Sequence, residues 1–468
     1  MKKKITILSL LFSLNWVIAV SAQPSNTHFQ VTFQVSSLFH DNAILQRETP
    51  VPVWGAAGEG ETVTVEFAGQ KVNTVAKKGT WKVWLKPMMA KGDPQTLTIQ
   101  QGETTLTFTN MLVGDVWVAS GQSNMQAMLR KGVDGWEQAV ATANFPLIHQ
   151  YYVPEHVTNL PAMDAGGTWT VCAPATAQHY SAIGFIFARE IFEAEKVPLG
   201  ILFPAWGGTL VESWTSQKAL DSIPAVHAKE LIPDRKPGGL PTAPSVIYNA
   251  MIAPLQQFPI KGVIWYQGEA NNLVARQYRE LFPLLISDWR QGWGESKMPF
   301  LFVQIAPYRD MKPELREAQF LTLEKSPHTA MAVTIDVGDA NNIHPARKAP
   351  VGHRLALAAR ALAYGEKIEY SGPLFASMKI KGGQIILSFN HADSGLVAKG
   401  GELKGFTIAD ADKQFVPAKT KIAGSKIIVW SEEIAKPVAV RYGWDFVPDG
   451  NLFNGANLPA SPFRTDVD

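Results

Sequence analysis

At 468 residues, 46% of them hydrophobic and 18% charged, the chain is long enough for two or three domains with full cores and too apolar for disorder. Its 43 basic and 41 acidic residues leave no net field to recruit nucleic acid or an anionic membrane. A lone cysteine, Cys172, excludes an internal disulfide, and a tetrahedral zinc site would need histidines and carboxylates alone, so no metal is expected.

The first residues, MKKKITILSLLFSLNWVIAVSAQ, join a basic start, a short apolar run and a small-residue end. This pattern predicts a secretory signal over 1–22 and export to the periplasm or beyond. The mature chain then loses three of its basic residues and stands at 40 against 41 acidic ones. No later segment is long and apolar enough to span a bilayer, so no membrane span is expected. Cys172 sits in the apolar phrase WTVCAP and reads as a buried, inert thiol.

Residues 28–110 read as an N-terminal β-sandwich module. VPVWGAAG, ETVTVEFAG, GTWKVWL and QTLTIQQGETTLTFTN are short alternating runs punctuated by Gly, Asp-Pro and Lys-Gly. Residues 111–366 alternate between strand and helix. Strands are expected at 114–120, 145–153, in VPLGILF, KGVIWY, MPFLFV and TAMAVTI; helices are expected at 181–196, 276–293 and in the 346–365 stretch, with Pro350 marking the start of the last. Such alternation predicts a parallel sheet wrapped by helices in three α/β/α layers. The Pro/Gly-rich stretch 228–245 reads as a long loop, a candidate lid. Residues 367–468 return to short alternating runs, a C-terminal β-rich module.

Four strand exits of the middle region carry polar or glycine clusters: GQSNM (121–125), WGGT (206–209), QGEAN (267–271) and DVGDANNIHP (336–345). Parallel strands bring such ends to one edge of the sheet, where ligands bind. The first cluster supplies a hydroxyl at a strand–helix junction, the second a glycine N–H, the third the amides Gln267 and Asn271, and the last His344 as a possible base. A serine, a base and convergent N–H donors are the machinery of acyl transfer. Each cluster alone has a plainer reading, as a turn, a packing glycine or a structural histidine; the coincidence of four is what argues for chemistry. Trp206, Trp214 and Trp265 lie beside these clusters and fit either sugar stacking or the core. The G-x-S-x-G elbow of common α/β-hydrolases is missing.

Together, GDVWVASGQSNMQ, WGGTLVESW, IKGVIWYQGEAN, FVQIAPY, LREAQ and DVGDANNIHPARKAPVGHRLALAA resemble, in order, the sialate O-acetylesterase family of SGNH (GDSL-like) hydrolases. The resemblance runs from about residue 37 to the end. It implies an SGNH three-layer sandwich flanked by β modules, and a serine esterase that removes O-acetyl groups from carbohydrate without a cofactor. Carried over by motif, Ser123 is the nucleophile, which removes Ser120 as a candidate, and His344 is the base. The backbone N–H groups of Ser123 and Gly208, with the side chain of Gln267 or its rival Asn271, form the oxyanion hole. Many relatives carry an aspartate two or three residues before the histidine, whereas this chain has Asn341 and Asn342. A Ser–His dyad is therefore expected, its imidazole oriented by the backbone carbonyl of Asn342, with Asp336 and Asp339 as lesser candidates. Arg130, Trp206, Glu269 and Arg347 are candidate substrate contacts, the arginines for the carboxylate of a sialic acid. The alternatives are an acetyl xylan or hemicellulose esterase of the same fold, and an inactive carbohydrate-binding protein.

Overall fold

The computed structural model describes residues 31–223 and 241–466. The expected signal segment, 1–22, and the loop up to residue 240 lie outside the described residues.

The principal elements of the middle region are β1 (Thr104–Gly121), α1 (Ser123–Gln126), β2 (Phe145–Tyr152), β3 (Thr168–Cys172), α2 (Ala182–Glu195), β4 (Leu199–Phe203), β5 (Gly262–Tyr266), α3 (Ala275–Trp293), β6 (Phe300–Val303), α4 (Pro313–Lys325), β7 (Thr329–Ala332) and α5 (Ala349–Leu362). In space the strands are ordered β3-β2-β4-β1-β5-β6-β7. All neighbours are parallel except β3, an antiparallel edge on β2. Every residue of β4, β5 and β6 is buried, which is why they read as continuous apolar runs: helices cover both faces of the sheet. α2 packs on α5, and α3 on α4. The α2–α5 contact is close, since a Cβ added at Gly352 would stand 2.7 Å from Ile186.

This order places β1 at the centre. From β1 the chain builds β2 and β4 to one side, then crosses to build β5, β6 and β7 on the other. The reversal between β1 and β5 is the switch point at which open parallel sheets bind ligands. Ser123 follows β1 by two residues.

β1 is 18 residues long, and its exposure changes along its length. Up to Asn110 several of its side chains face solvent; from Met111 onward every residue is buried. Its first half pairs antiparallel with Lys91–Gln101, and Ile44–Gln46 adds a parallel strand beside Leu112 to Gly114. The N-terminal and central sheets therefore share one continuous strand across position 110/111. A separate sheet of Gln34–Val35, Val51–Ala56 and Thr80–Leu85 completes the N-terminal part. After α5 the described strands form two four-stranded antiparallel sheets and one two-stranded pair. The expected α/β core with flanking β modules is thus the observed architecture.

α4 and β3 are not among the expected elements. α4 buries Leu315 and Ala318 but also Arg316, Gln319 and Thr322. Its inner face is partly polar, so its apolar periodicity is weak. Arg316 is satisfied by the carbonyls of Asp445 and Phe446, both at 2.7 Å, and so pins the C-terminal part to the core. Cys172 ends β3, and burial pushes its thiol up to about 12. Among the described residues no helix is long and apolar enough to cross a membrane.

Candidate active site

β1 leaves the sheet at Gly121. Its φ of +138° and the Tyr266 carbonyl, 2.1 Å from where a Cβ would be, admit only glycine. The Gln122 N–H donates to that same carbonyl at 2.9 Å, so the turn is fastened to the end of β5. Ser123 then opens the short helical turn α1, and its own N–H donates to no described residue. Ser120, by contrast, is fully buried within β1, paired with Trp265.

The Ser123 hydroxyl meets the His344 imidazole, with Oγ and Nε2 2.8 Å apart. The two residues are 221 positions apart in sequence. They lie in a cleft of about 410 Å³ lined by Gln126, Met128, Arg130, Lys131 and Lys348 in addition. Among the described residues the lining holds three cationic side chains and no carboxylate. Burial, and then the nearby Lys348 ammonium, hold the His344 imidazole below its ordinary pKa, which favours the neutral base.

The WGGT loop closes one side. A Cβ at Gly207 would stand 3.2 Å from the Ser123 Cβ, and the Gly207 N–H is taken by Gln126 Oε1 at 2.8 Å. The next N–H, that of Gly208, donates to no described residue; Gly208 is exposed and left-handed, with φ +73°. Two backbone donors therefore remain open beside the serine, those of Ser123 and Gly208.

The third expected donor is elsewhere. Gln267 is fully buried, and its amide group gives one hydrogen bond to the Thr209 carbonyl at 3.0 Å and one to Asn271 Oδ1 at 2.7 Å. Both amide hydrogens are spent inside the protein. Asn271 is no substitute: it is also fully buried, and its Nδ2 donates to Glu212 Oε2 at 2.8 Å while Oδ1 receives the Val211 N–H at 3.0 Å. The structure corrects both assignments, because these amides shape the loop that carries Gly208 and do not face the cleft.

The support for His344 also differs from expectation. No described residue accepts from Nδ1, and the Asn342 carbonyl does not bind it. Asn342 acts through its side chain, whose Oδ1 accepts the His344 backbone N–H at 2.9 Å. Asp336 is committed to Arg354 through two contacts of 2.7 Å, and exposed Asp339 caps the Asn341 N–H at 2.8 Å. Neither carboxylate serves the imidazole.

Of the candidate substrate contacts, Arg130 lines the cleft. Arg347 turns away, donating to the Asp336 carbonyl at 2.8 Å. Trp206 is half-buried and packs on the core; Trp214 and Trp265 are fully buried, edge to face at 5.8 Å. Glu269 lies behind the serine turn rather than in the cleft, where its Oε1 accepts from Asn124 Nδ2 at 2.6 Å and its buried Oε2 has no partner among the described residues. Burial raises its pKa, against the opposing pull of Asn124 and Lys348.

Asn124, Gln126 and Lys348 are site residues that the sequence reading did not single out. Asn124 stands in the quoted GQSNM motif. Lys348 follows His344 by four positions, which puts it on the same local segment, but a lysine in ARKAP reads as a solvated surface charge.

A serine bonded to a histidine at the switch point of a parallel sheet, with open backbone donors beside it, is the arrangement an ester hydrolase of the SGNH type requires. A model of the carbohydrate esterase, sialic acid-specific acetylesterase family matches residues 113–361. Sialate O-acetylesterase of Mus musculus is 30% identical, covering 93% of this chain and 95% of its own length. The Homo sapiens enzyme of that name is 31% identical over 92% of each. A carbohydrate acetylesterase from Xanthomonas citri superposes with a TM-score of 0.86, at 40% identity, over 93% of this chain and all of its own. The chain belongs to the sialic acid-specific acetylesterase family of carbohydrate esterases, and is a carboxylic ester hydrolase.

Proposed function

We propose that the chain removes O-acetyl groups from sialic acids, with Ser123 as nucleophile and His344 as general base. The observation that carries the reading is the 2.8 Å Ser123–His344 contact in a cleft whose charged lining is Arg130, Lys131 and Lys348. Such a cleft suits a sugar that bears its own carboxylate; a neutral xylan backbone has no use for it. His344 takes the Ser123 proton as Oγ attacks the acetyl carbonyl. The tetrahedral oxyanion rests on the N–H groups of Ser123 and Gly208. On collapse the sugar oxygen leaves with the proton from His344, and the acetyl group stays on Ser123. Water, deprotonated by His344, then hydrolyses that ester, releasing acetate and restoring the serine.

Ser123→Ala and His344→Ala should each lower kcat by about 10⁴-fold or more, and a fluorophosphonate should label Ser123. Acetate release from O-acetylated sialic acid, set against acetylated xylan, tests the substrate. A preference for xylan would overturn the sialate reading. Arg130→Ala should raise KM for the acetylated sialic acid about tenfold, the loss of one partly exposed charge contact, and leave 4-nitrophenyl acetate hydrolysis unchanged. Because the His344 pKa is lowered and the working base is neutral, kcat/KM should decline only below the ordinary histidine value of 6.5. An acidic limb at or above that value would refute the assignment. Export is part of the same proposal, supported by the leader-like residues 1–22; N-terminal sequencing of the mature protein should begin at Gln23.

A further inference from the structure

Lys348 is buried to within 2% of its surface, yet among the described residues no carboxylate bonds it. Its Nζ donates to Asn124 Oδ1 at 2.5 Å. The same Asn124 uses its amide hydrogens on Glu269 Oε1 at 2.6 Å and on the Ile343 carbonyl at 3.0 Å. Asn124 is the neighbour of Ser123, and Ile343 is the neighbour of His344. One side chain thus joins the nucleophile turn, the histidine loop, a buried cation and a buried acid. A charge this deeply buried costs several kcal/mol unless something compensates it, and neither partner here is paired directly.

We propose that Lys348 is the positioning residue of the site: through Asn124 it ties the Ser123 turn to the His344 loop, and it holds an ammonium on the wall of the cleft that the imidazole also lines. A serine triad uses an aspartate to orient the imidazole and to stabilise its charged form. Among the described residues no aspartate bonds the imidazole, and the local cation favours the uncharged ring. The inference rests on the Ser123–His344 reading above.

The other charged groups around the imidazole are accounted for. Arg130 and Lys131 line the same cleft, Glu155 is held by Gln126, and Glu269 lies behind Asn124. Asp134 sits on the loop whose backbone bonds Ala346, Asp339 is exposed, and Asp336 is paired with Arg354 and bonded through its carbonyl to Arg347. Burial brings the Lys348 pKa down to about 8, so the ammonium is intact across the range in which a histidine titrates.

Three variants separate the tie from the charge. Lys348→Arg keeps the cation, Lys348→Gln keeps a donor to Asn124 without charge, and Lys348→Met keeps neither. The acidic limb of kcat/KM against pH should move up by about half a unit or more in the glutamine and methionine variants. It should stay in place in the arginine variant. Turnover at pH 8, where His344 is neutral in all, should fall most in the methionine variant, by about 10²-fold, and less in the glutamine variant. A limb that is unmoved in Lys348→Gln, or moved equally by glutamine and arginine, would overturn the proposal. If the methionine variant does not fold, the glutamine and arginine pair decides the matter. Fluorophosphonate labelling of Ser123 in every variant keeps the outcome separate from the nucleophile assignment, since failure of that assignment abolishes labelling in the wild type also.

Discussion

Two buried polar networks flank Ser123, and they are built on different principles. On the side of the WGGT loop, Gln267, Asn271, Glu212 and Thr209 interlock, and both Gln267 amide hydrogens and both ends of the Asn271 amide are in use. On the side of the histidine loop, Asn124 stands between a lysine whose pKa is depressed and a glutamate whose pKa is raised, and one carboxylate oxygen has no partner among the described residues. The first network spends its hydrogen bonds on shape. The second keeps a buried cation and a buried acid joined only through an amide, without a direct ion pair, next to the chemistry, a cost that functional sites accept and structural ones avoid.

The contrast is open to attack by mutation, and the charged side should respond most. Asn124→Ala releases Lys348, Glu269 and the Ile343 carbonyl together. Displacing His344 by even an ångström should lower kcat by about 10²-fold, more than any other substitution outside Ser123, His344 and Lys348. Gln267→Ala should act mainly on stability. It strips one hydrogen bond each from the Thr209 carbonyl, Asn271 Oδ1 and the Tyr278 hydroxyl, of which the last two keep the Val211 N–H and the Gln267 carbonyl; at about 1–3 kcal/mol for a group left unsatisfied, it should lower Tm by several degrees with kcat down less than tenfold. If kcat instead fell a hundredfold at unchanged Tm, Gln267 would be an oxyanion donor and the distinction between the two networks would fail.

A smaller effect concerns the lysine's own titration. Its folded pKa of about 8 lies below the ordinary 10.5, so between those values the unfolded chain binds the extra proton and stability should rise with pH. Thermal melts from pH 8 to 10 should show this gain for the wild type relative to Lys348→Gln. Smallest of all, Asp339→Ala should change kcat less than twofold, because that carboxylate caps a turn and leaves the imidazole alone. A loss comparable to that of His344→Ala would restore an aspartate to the mechanism.

The alternation of β4, α3 and β6 was legible in the sequence because fully buried strands are apolar throughout and α3 is amphipathic. α4 was not legible: its buried face contains Arg316, Gln319 and Thr322, and polar residues inside a protein look like surface until their partners are known. The same limit governed the site. Ser123, Gly208 and His344 were candidates because polar clusters at strand exits and the family resemblance marked them together. Gln267 and Asn271 shared that signal and were misread as donors to the cleft. An exposed amide and a buried one are identical in sequence, and only the positions of Thr209 and Glu212 show where their hydrogens go.

The sequence by itself determined the alternation of strands and helices along the middle region and the polar turn that carries a serine after β1. These depend on local periodicity and on glycines that single positions demand. The orientation of each amide, the burial of Lys348 and the bond joining Ser123 to a histidine 221 residues away were decided only in three dimensions. Their energies depend on desolvation and on hydrogen-bond partners from distant strands, and no local pattern encodes either.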